Sequence, residues 1–385
     1  MNKIDVEMFV SDVVAKANGR KVFLLVSGGV DSTVVFALLN RALGQDRVLG
    51  LHIDTGLMRL GESQDVIDYM KGNGFENLHV HDAADDFLAA LDGVFEPEIK
   101  REVIGNKFLD VKTVAQERLG LNSDDWIIAQ GTIYPDVIET AGEKGGGKIK
   151  THHNRVDLIL ELIEKGLVIE PLASLYKDEV RELGEKLGIP RELIYRHPFP
   201  GPGLGVRCLC SPRKGEKSEN LGKDISLLPV RTTGVKNGER TYSRPIAFFG
   251  DNLPNFSENY NNRVVLPLFC EKNDRAYKSI VAYCTKKRLE KLRAIDKIAN
   301  DAIVSSGEYE KIWQMPVVLL PLVNSNGNET VVLRPVVSKQ ATTAKACKLK
   351  QSTVRKIIKE SRNVEGIGDI FIDVTNKPPA TIEWE

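Results

Sequence analysis

The chain has 385 residues, 53 basic against 53 acidic side chains, a formal net charge of zero, and 42% hydrophobic with 28% charged residues. That is an ordinary globular composition, and at about 100–200 residues per domain the length suggests two domains. Balanced charge argues against a broad nucleic-acid-binding face. Nothing approaches the roughly 18 consecutive apolar residues of a membrane-spanning helix. The start MNKIDVEMF has neither the basic region nor the apolar run of a signal peptide, so the expectation is a cytoplasmic protein with no nucleic-acid or membrane partner. Five cysteines without a CxxC pair argue against a disulfide framework and against a zinc site.

In chain order, KVFLLV (21–26) is a strand and TVVFALLNRAL (33–43) a helix. RVLGLHID (47–54), a helical stretch over 62–72, NLHVHD (77–82) and DDWIIAQG (124–131) continue the alternation. Such a series predicts a parallel sheet with crossover helices, a doubly wound α/β domain. The Pro/Gly run RHPFPGPGLG (196–205) marks the domain boundary, which gives domains over 1–200 and 201–385. Beyond it the pattern predicts a helix near 287–305, a hairpin of VVLL (317–320) and VVL (331–333) around NSNGNE, a helix near 341–361 and a strand GDIFIDV (368–374). Residues 211–280 carry little legible pattern.

The strongest local signal is Ser27-Gly28-Gly29-Val30-Asp31-Ser32, set between an apolar strand and an amphipathic helix. Two glycines allow a tight turn and close approach to an anion, while the serine hydroxyls and the N–H groups of the incoming helix can donate to phosphate oxygens. It is not a Walker A loop, because GxxxxGK[ST] and its lysine are absent. A Gly-Gly turn capped by Asp31 or Ser32 would account for the same residues as a plain helix start.

Asp54 closes an apolar strand at its carboxyl end, where ligands sit in open α/β sheets. Asp136 and Glu139 are three apart, which places both on one face of a helical turn; such a pair suits Mg²⁺, a nucleophile-orienting role, or a solvated helix start. Lys150, His152 and His153 follow the glycine run 145–147 and suit a loop that reaches a polyphosphate, or an exposed polar loop. Lys177 opens a helix, where a cation is disfavoured unless an anion sits there too.

SGGVDS resembles the signature of the ATP pyrophosphatase superfamily, whose members cleave ATP between the α- and β-phosphates and adenylate a substrate oxygen. HIDTGLMR (52–59), AQGTIYPDVIE (129–139), IKTHHN (149–154), IEPLASLYKDEVR (169–181), RHPFPGPGL (196–204) and KPPATIEWE (377–385) look like the synthetase part of the GMP synthase family. The last two segments are specific to that family within the superfamily. The resemblance implies an adenine nucleotide alpha hydrolase-like first domain, followed by an α+β C-terminal domain for dimerisation and XMP binding. It implies ATP binding by Ser27, Gly28, Gly29, Val30, Asp31, Ser32, Asp54 and Lys177, with catalysis by Asp31, Asp136, Glu139, Lys150, His152, His153 and Lys177. Mg²⁺ would fall to Asp31 and Asp136, and XMP to Arg101, Gln314, Arg334, Lys377, Ile382 and Glu383.

The implied reaction is amination of XMP to GMP with ATP and ammonia, in a homodimer. The glutaminase domain of one-chain family members is missing from these residues, which points to a separate glutaminase subunit or to free ammonia. One departure is SKQATTAKA (338–346), which replaces a stretch that usually contains aspartate and methionine. Two other readings stay open. A tRNA-modifying ATP pyrophosphatase would bring a basic RNA surface or a catalytic cysteine pair, and a non-catalytic nucleotide-binding module would bind ATP without turnover.

Overall fold

The computed structural model describes residues 4–121, 125–134, 165–251, 262–272, 275–338 and 342–385. Its contacts divide into two compact units. The first takes Met1–Thr55, Gly61–Ala83 and Leu109–Arg196; the second takes Gly56–Leu60, Ala84–Phe108 and His197–Glu385.

In the first unit, helix α1 (Val6–Ala17) starts where the Asp5 carboxylate accepts from Glu7 N–H, a side-chain cap. Then come β1 (Lys21–Leu25), α2 (Val30–Leu43), β2 (Val48–Asp54), α3 (Glu62–Gly72) and β3 (Leu78–Asp82). After α4 (Ala84–Ala90), which belongs to the second unit, and α5 (Pro97–Arg118), whose residues from Leu109 on belong to the first, come β4 (Trp126–Ala129) and β5 (Val168–Ile169), which α6 (Lys177–Lys186) and α7 (Arg191–Ile194) follow. The sheet order is β3-β2-β1-β4-β5, and every neighbouring pair is parallel. Parallel strands are covered on both faces, which explains why Val22, Phe23 and Leu24 are all buried without alternation. Val34, Leu38, Ile127, Val180 and Leu183 belong to the same core.

The second unit is built on an eight-stranded mixed sheet. Its chain order is β6 (Glu219–Gly222), β7 (Ile225–Leu227), β8 (Thr232–Lys236), β9 (Glu239–Ser243), β10 (Ile246–Phe248), β11 (Val264–Phe269) and β12 (Lys278–Ser279). Helix α8 (Lys286–Ser305), β13 (Val317–Val323), β14 (Glu329–Leu333), β15 (Val336–Val337), β16 (Lys345–Ala346), α9 (Gln351–Ser361) and β17 (Ile367–Asp373) complete it. The sheet runs β12-β13-β14-β17-β11-β10-β7-β6, while β8 and β9 form a separate hairpin. Thr285 caps α8, and Leu289, Leu292, Ile295, Ala299 and Ile303 make its buried stripe at helical spacing.

The expected hairpin is present as β13 and β14, and β17 joins it parallel to β14. The helix expected near 341–361 is a correction: only Gln351–Ser361 is helical. Upstream, Lys345 and Ala346 pair with Val337 and Val336, and Ala344 exchanges backbone hydrogen bonds with Lys377, so ladder bonds displace the first turns of helix. Residues 211–280, which carried little pattern, contain β6 to β12, strands too short for period-two alternation to stand out.

Candidate functional site

In the first unit the chain runs from β1 outward through β2 to β3, and the later strands β4 and β5 lie on the other side of β1. The strand order therefore reverses between β1 and β4, the switch point where a crevice opens at the carboxyl ends of an α/β sheet. The segment SGGVDS follows β1 and AQGT follows β4, so the two loops flank that point.

Gly29 is the N-cap of α2 and supplies no side chain, while Asp31 and Ser32 lie inside the first turn. The reading in which Asp31 or Ser32 caps the helix is thus corrected: the cap is glycine, which has no side chain to accept from the N–H groups that follow it. Ser27 Oγ accepts from Gly29 N–H at 3.2 Å and lies 3.1 Å from Ser32 Oγ, which closes the turn on itself. Gly28 has φ of +77°, and a Cβ there would lie 2.8 Å from Val66 Cγ2, so both conformation and space require glycine. Across the crevice, a Cβ on Gly131 would come within 3.3 Å of Ser32 N, which measures how closely the two loops approach.

Lys177 at the start of α6 finds the anion its position calls for: its Nζ donates to both Asp31 oxygens at 2.7 Å. The pair is part-exposed, at 38% and 28% of the two side chains. Asp54 is the last residue of β2. Asp136, Glu139, Lys150, His152 and His153 lie outside the described residues. Among the described residues, no group of three His, Cys, Asp or Glu side chains could hold a metal ion. With both Asp31 oxygens on Lys177, these residues do not by themselves make a Mg²⁺ site.

The second unit holds the remaining expected residues. The segment 377–385 is ordered: Ala380 and Trp384 are fully buried, although a terminal stretch is usually frayed. It lies against the β8–β9 hairpin, where Val235 N–H donates to Pro379 O and Thr233 N–H to Trp384 O. Its anchor is a buried charge cluster. Arg263 and Arg334 both pair with Asp373 Oδ2, at 2.7 and 2.8 Å, and Trp384 Nε1 donates to the same oxygen at 3.0 Å. Arg263 Nη2 also donates to the carbonyls of Thr381 and Glu383, and Arg334 Nε to those of Thr381 and Ile382. Burial alone would push the Asp373 carboxyl up, but the Arg334 and Arg263 guanidinium groups outweigh it and hold the group below its ordinary value.

Arg334 is fully buried, with Nε on the carbonyls of Thr381 and Ile382 and Nη1 on Asp373 and the Thr375 carbonyl. Glu383 is bound by Arg207, and Gln314 donates to Pro198 O at 2.9 Å. Lys377 is half-buried, with its pKa lowered by burial and by the Arg334 charge. Arg101 donates to Glu385 O. Lys100 is fully buried, 2.5 Å from Glu385 Oε2 and bonded to the carbonyls of Gly205 and Cys208. Burial would lower its pKa, and the Glu385 carboxylate reverses that and keeps the ammonium charged.

Sequence reasoning missed Arg263, Asp373 and Arg207. The available signal was a lone charge at the edge of an apolar run, in RVVLPLF (263–269), FIDV (371–374) and GVRCL (205–209). A cavity of about 830 Å³ in this unit is lined by Arg231, Tyr242 and Trp384 among others, and not by Gln314, Lys377, Ile382 or Glu383.

With this geometry in place, comparison with known proteins is informative. Residues 301–384 match the GMP synthase C terminal domain, and residues 3–114 match NAD synthase. A probable glutamine-hydrolyzing GMP synthase of Leptospira interrogans is 42% identical over 95% of this chain and 64% of its own length. Relatives of the same description are 33% identical in Caenorhabditis elegans (98% of this chain, 65% of the relative) and 36% identical in Streptomyces avermitilis (95% and 58%). The chain thus spans slightly less than two thirds of the length of the curated relatives it matches. The NAD synthase match covers the SGGVDS loop and the strands β1 to β3 of the doubly wound unit. Over 95% of its length the chain is similar to GMP synthases, and residues 301–384 match the C terminal domain of that family.

Proposed function

We propose that the chain is the synthetase of a GMP synthase: it joins AMP to the 2-oxo group of XMP, releasing pyrophosphate, and ammonia then displaces AMP to give GMP. Adenylation is needed because the 2-oxo group is itself a poor leaving group. The observation that carries this reading is the likeness to GMP synthases over 95% of the chain, together with the match of residues 301–384, most of the ordered tail included, to the GMP synthase C terminal domain.

On this reading the uncapped N-terminus of α2, with Ser27 and Ser32, binds ATP phosphates, and Asp54 meets the adenosine side. Lys177 turns from Asp31 toward the pyrophosphate as charge builds on it, an electrostatic contribution that commonly dominates such transfers. Mg²⁺ would supply further charge compensation when bound with ATP, with Asp31 and Asp136 as its expected carboxylates. Lys150, His152 and His153 are proposed to shield the intermediate from water, with Asp136 and Glu139 orienting the reacting groups. Lys377 and Arg101 are proposed for the XMP phosphate, Ile382 and Glu383 for the purine. Gln314 and Arg334 act by holding Glu383 and the tail backbone. A homodimer in the cytoplasm, with ammonia drawn from a separate glutaminase subunit or from solution, completes the proposal.

The test is release of AMP and pyrophosphate with ATP, Mg²⁺, XMP and ammonium, run in parallel with glutamine and with IMP in place of XMP. AMP and GMP in equal amounts, and none with IMP, support the reading. ADP and phosphate as products, or ATP bound without turnover, overturn it.

A further inference from the structure

The glutamate assigned to the purine is held by a residue with no assigned role. Arg207 follows GPGLGV and is fully buried. Its Nε and Nη2 donate to the two oxygens of Glu383 at 3.1 and 2.9 Å, a parallel fork that a lysine cannot reproduce. The guanidinium plane is fixed in turn by the Phe199 ring, 5.0 Å from its centre, and by Asp296, 3.9 Å from Nη1. Glu383 Oε1 also lies 3.4 Å from Gln314 Nε2. The backbone is held too, because Glu383 O accepts from Arg263 Nη2 and Thr381 Oγ1, both at 2.6 Å. The carboxylate still keeps 18% of its side chain exposed, so it is fixed without being sealed.

An ionised carboxylate held in an arginine fork has no proton to donate and can only accept hydrogen bonds. Xanthine offers ring N–H donors, whereas the ring nitrogens on the pairing edge of adenine are acceptors. A fixed, acceptor-only group therefore favours an oxopurine with ring N–H and leaves an unpaired clash against adenine.

We propose that Arg207 is a positioning residue that, through its fork on Glu383, sets the affinity and purine selectivity of the XMP site. This rests on the reading that Glu383 contacts the purine, and the experiment separates the two. XMP, AMP and ATP binding to the full chain is measured by calorimetry for wild type, Arg207→Lys, Arg207→Met, Glu383→Ala and the two double variants, with thermal melting as a check of fold.

Arg207→Met should weaken XMP binding about 10- to 100-fold, as expected for loss of a charge-assisted pair, and Arg207→Lys by about 5- to 20-fold, with ATP affinity unchanged. In the Glu383→Ala background the same substitutions should cost under about threefold, because the group they orient is gone. Both arginine variants should also narrow the preference for XMP over AMP at this site. If Arg207→Met does not fold, Arg207→Lys carries the comparison alone. Equal losses in both backgrounds would reduce Arg207 to a structural residue and overturn the proposal. Absence of XMP binding by the wild-type chain would overturn the functional reading itself, and the proposal with it.

Discussion

Lys177 Nζ lies 2.7 Å from each oxygen of Asp31, 146 residues away in sequence, and so neutralises the one acidic side chain in the first turn of α2. The pair sits on the loop at the sheet's switch point, and its part-exposed partners gain little stability from each other, about 0–1 kcal/mol for such a bridge. Replacement of Lys177 by Met should therefore leave the melting temperature nearly unchanged while lowering AMP and pyrophosphate release by about 100-fold or more. A large fall in melting temperature with intact turnover would make the pair structural.

Gly28→Ala should act on the loop directly. Its φ of +77° and the 2.8 Å approach to Val66 leave no relaxed place for a methyl group. The expected cost is about 1–3 kcal/mol in urea denaturation, with a larger proportional loss of ATP affinity because the turn carries the phosphate donors. Unchanged ATP affinity in a stable Gly28→Ala protein would argue that the loop does not touch the nucleotide.

Asp373 serves two buried arginines and Trp384 at once. Asp373→Asn leaves those cations short of a counter-charge and should destabilise the second unit by about 3–5 kcal/mol at pH 7. The pH dependence has a definite sign. The folded-state carboxyl titrates below its ordinary value. Its contribution is thus complete above about pH 4, the unfolded value, and is lost as pH falls through the lower folded one. The stability gap between wild type and variant should be flat from pH 8 to about 5 and shrink in stronger acid. A gap that persists unchanged to pH 2 would contradict this assignment.

The tail gives a contrast between two changes. Lys377→Ala removes a half-buried side chain and should spare stability while weakening XMP binding by about 10- to 150-fold. A chain ending at Asn376 also loses the buried Trp384 and the carbonyls that Arg263 and Arg334 bind, so it should melt well below wild type. Equal thermal stability of wild type and truncation would show the tail to be dispensable packing.

The parallel unit was legible because its signals are local: apolar runs such as KVFLLV, the glycine turn after them, and the helical spacing of TVVFALLNRAL. Even the Lys177–Asp31 contact was half-visible, since a cation opening a helix asks for an anion. The mixed sheet was less legible. Its order brings β17 beside both β14 and β11, pairings set by contacts about forty and about a hundred residues apart rather than by any local period. The buried charges were least legible of all. Nothing local in the sequence marks Lys100 and Arg207 as buried, because the carboxylates that make their burial tolerable, Glu385 and Glu383, lie far along the chain.

The anchoring of segment 377–385 also bears on synthesis. Arg263, Arg334 and Asp373 are made before the carbonyls of Thr381, Ile382 and Glu383 that complete their hydrogen bonds. Until those residues are free to dock, the strands that carry the arginines cannot close over them without burying unmatched donors. The second unit should therefore gain stability in one step when the segment docks, with a released chain cut just before Thr381 more open to proteases than one that runs through Glu385.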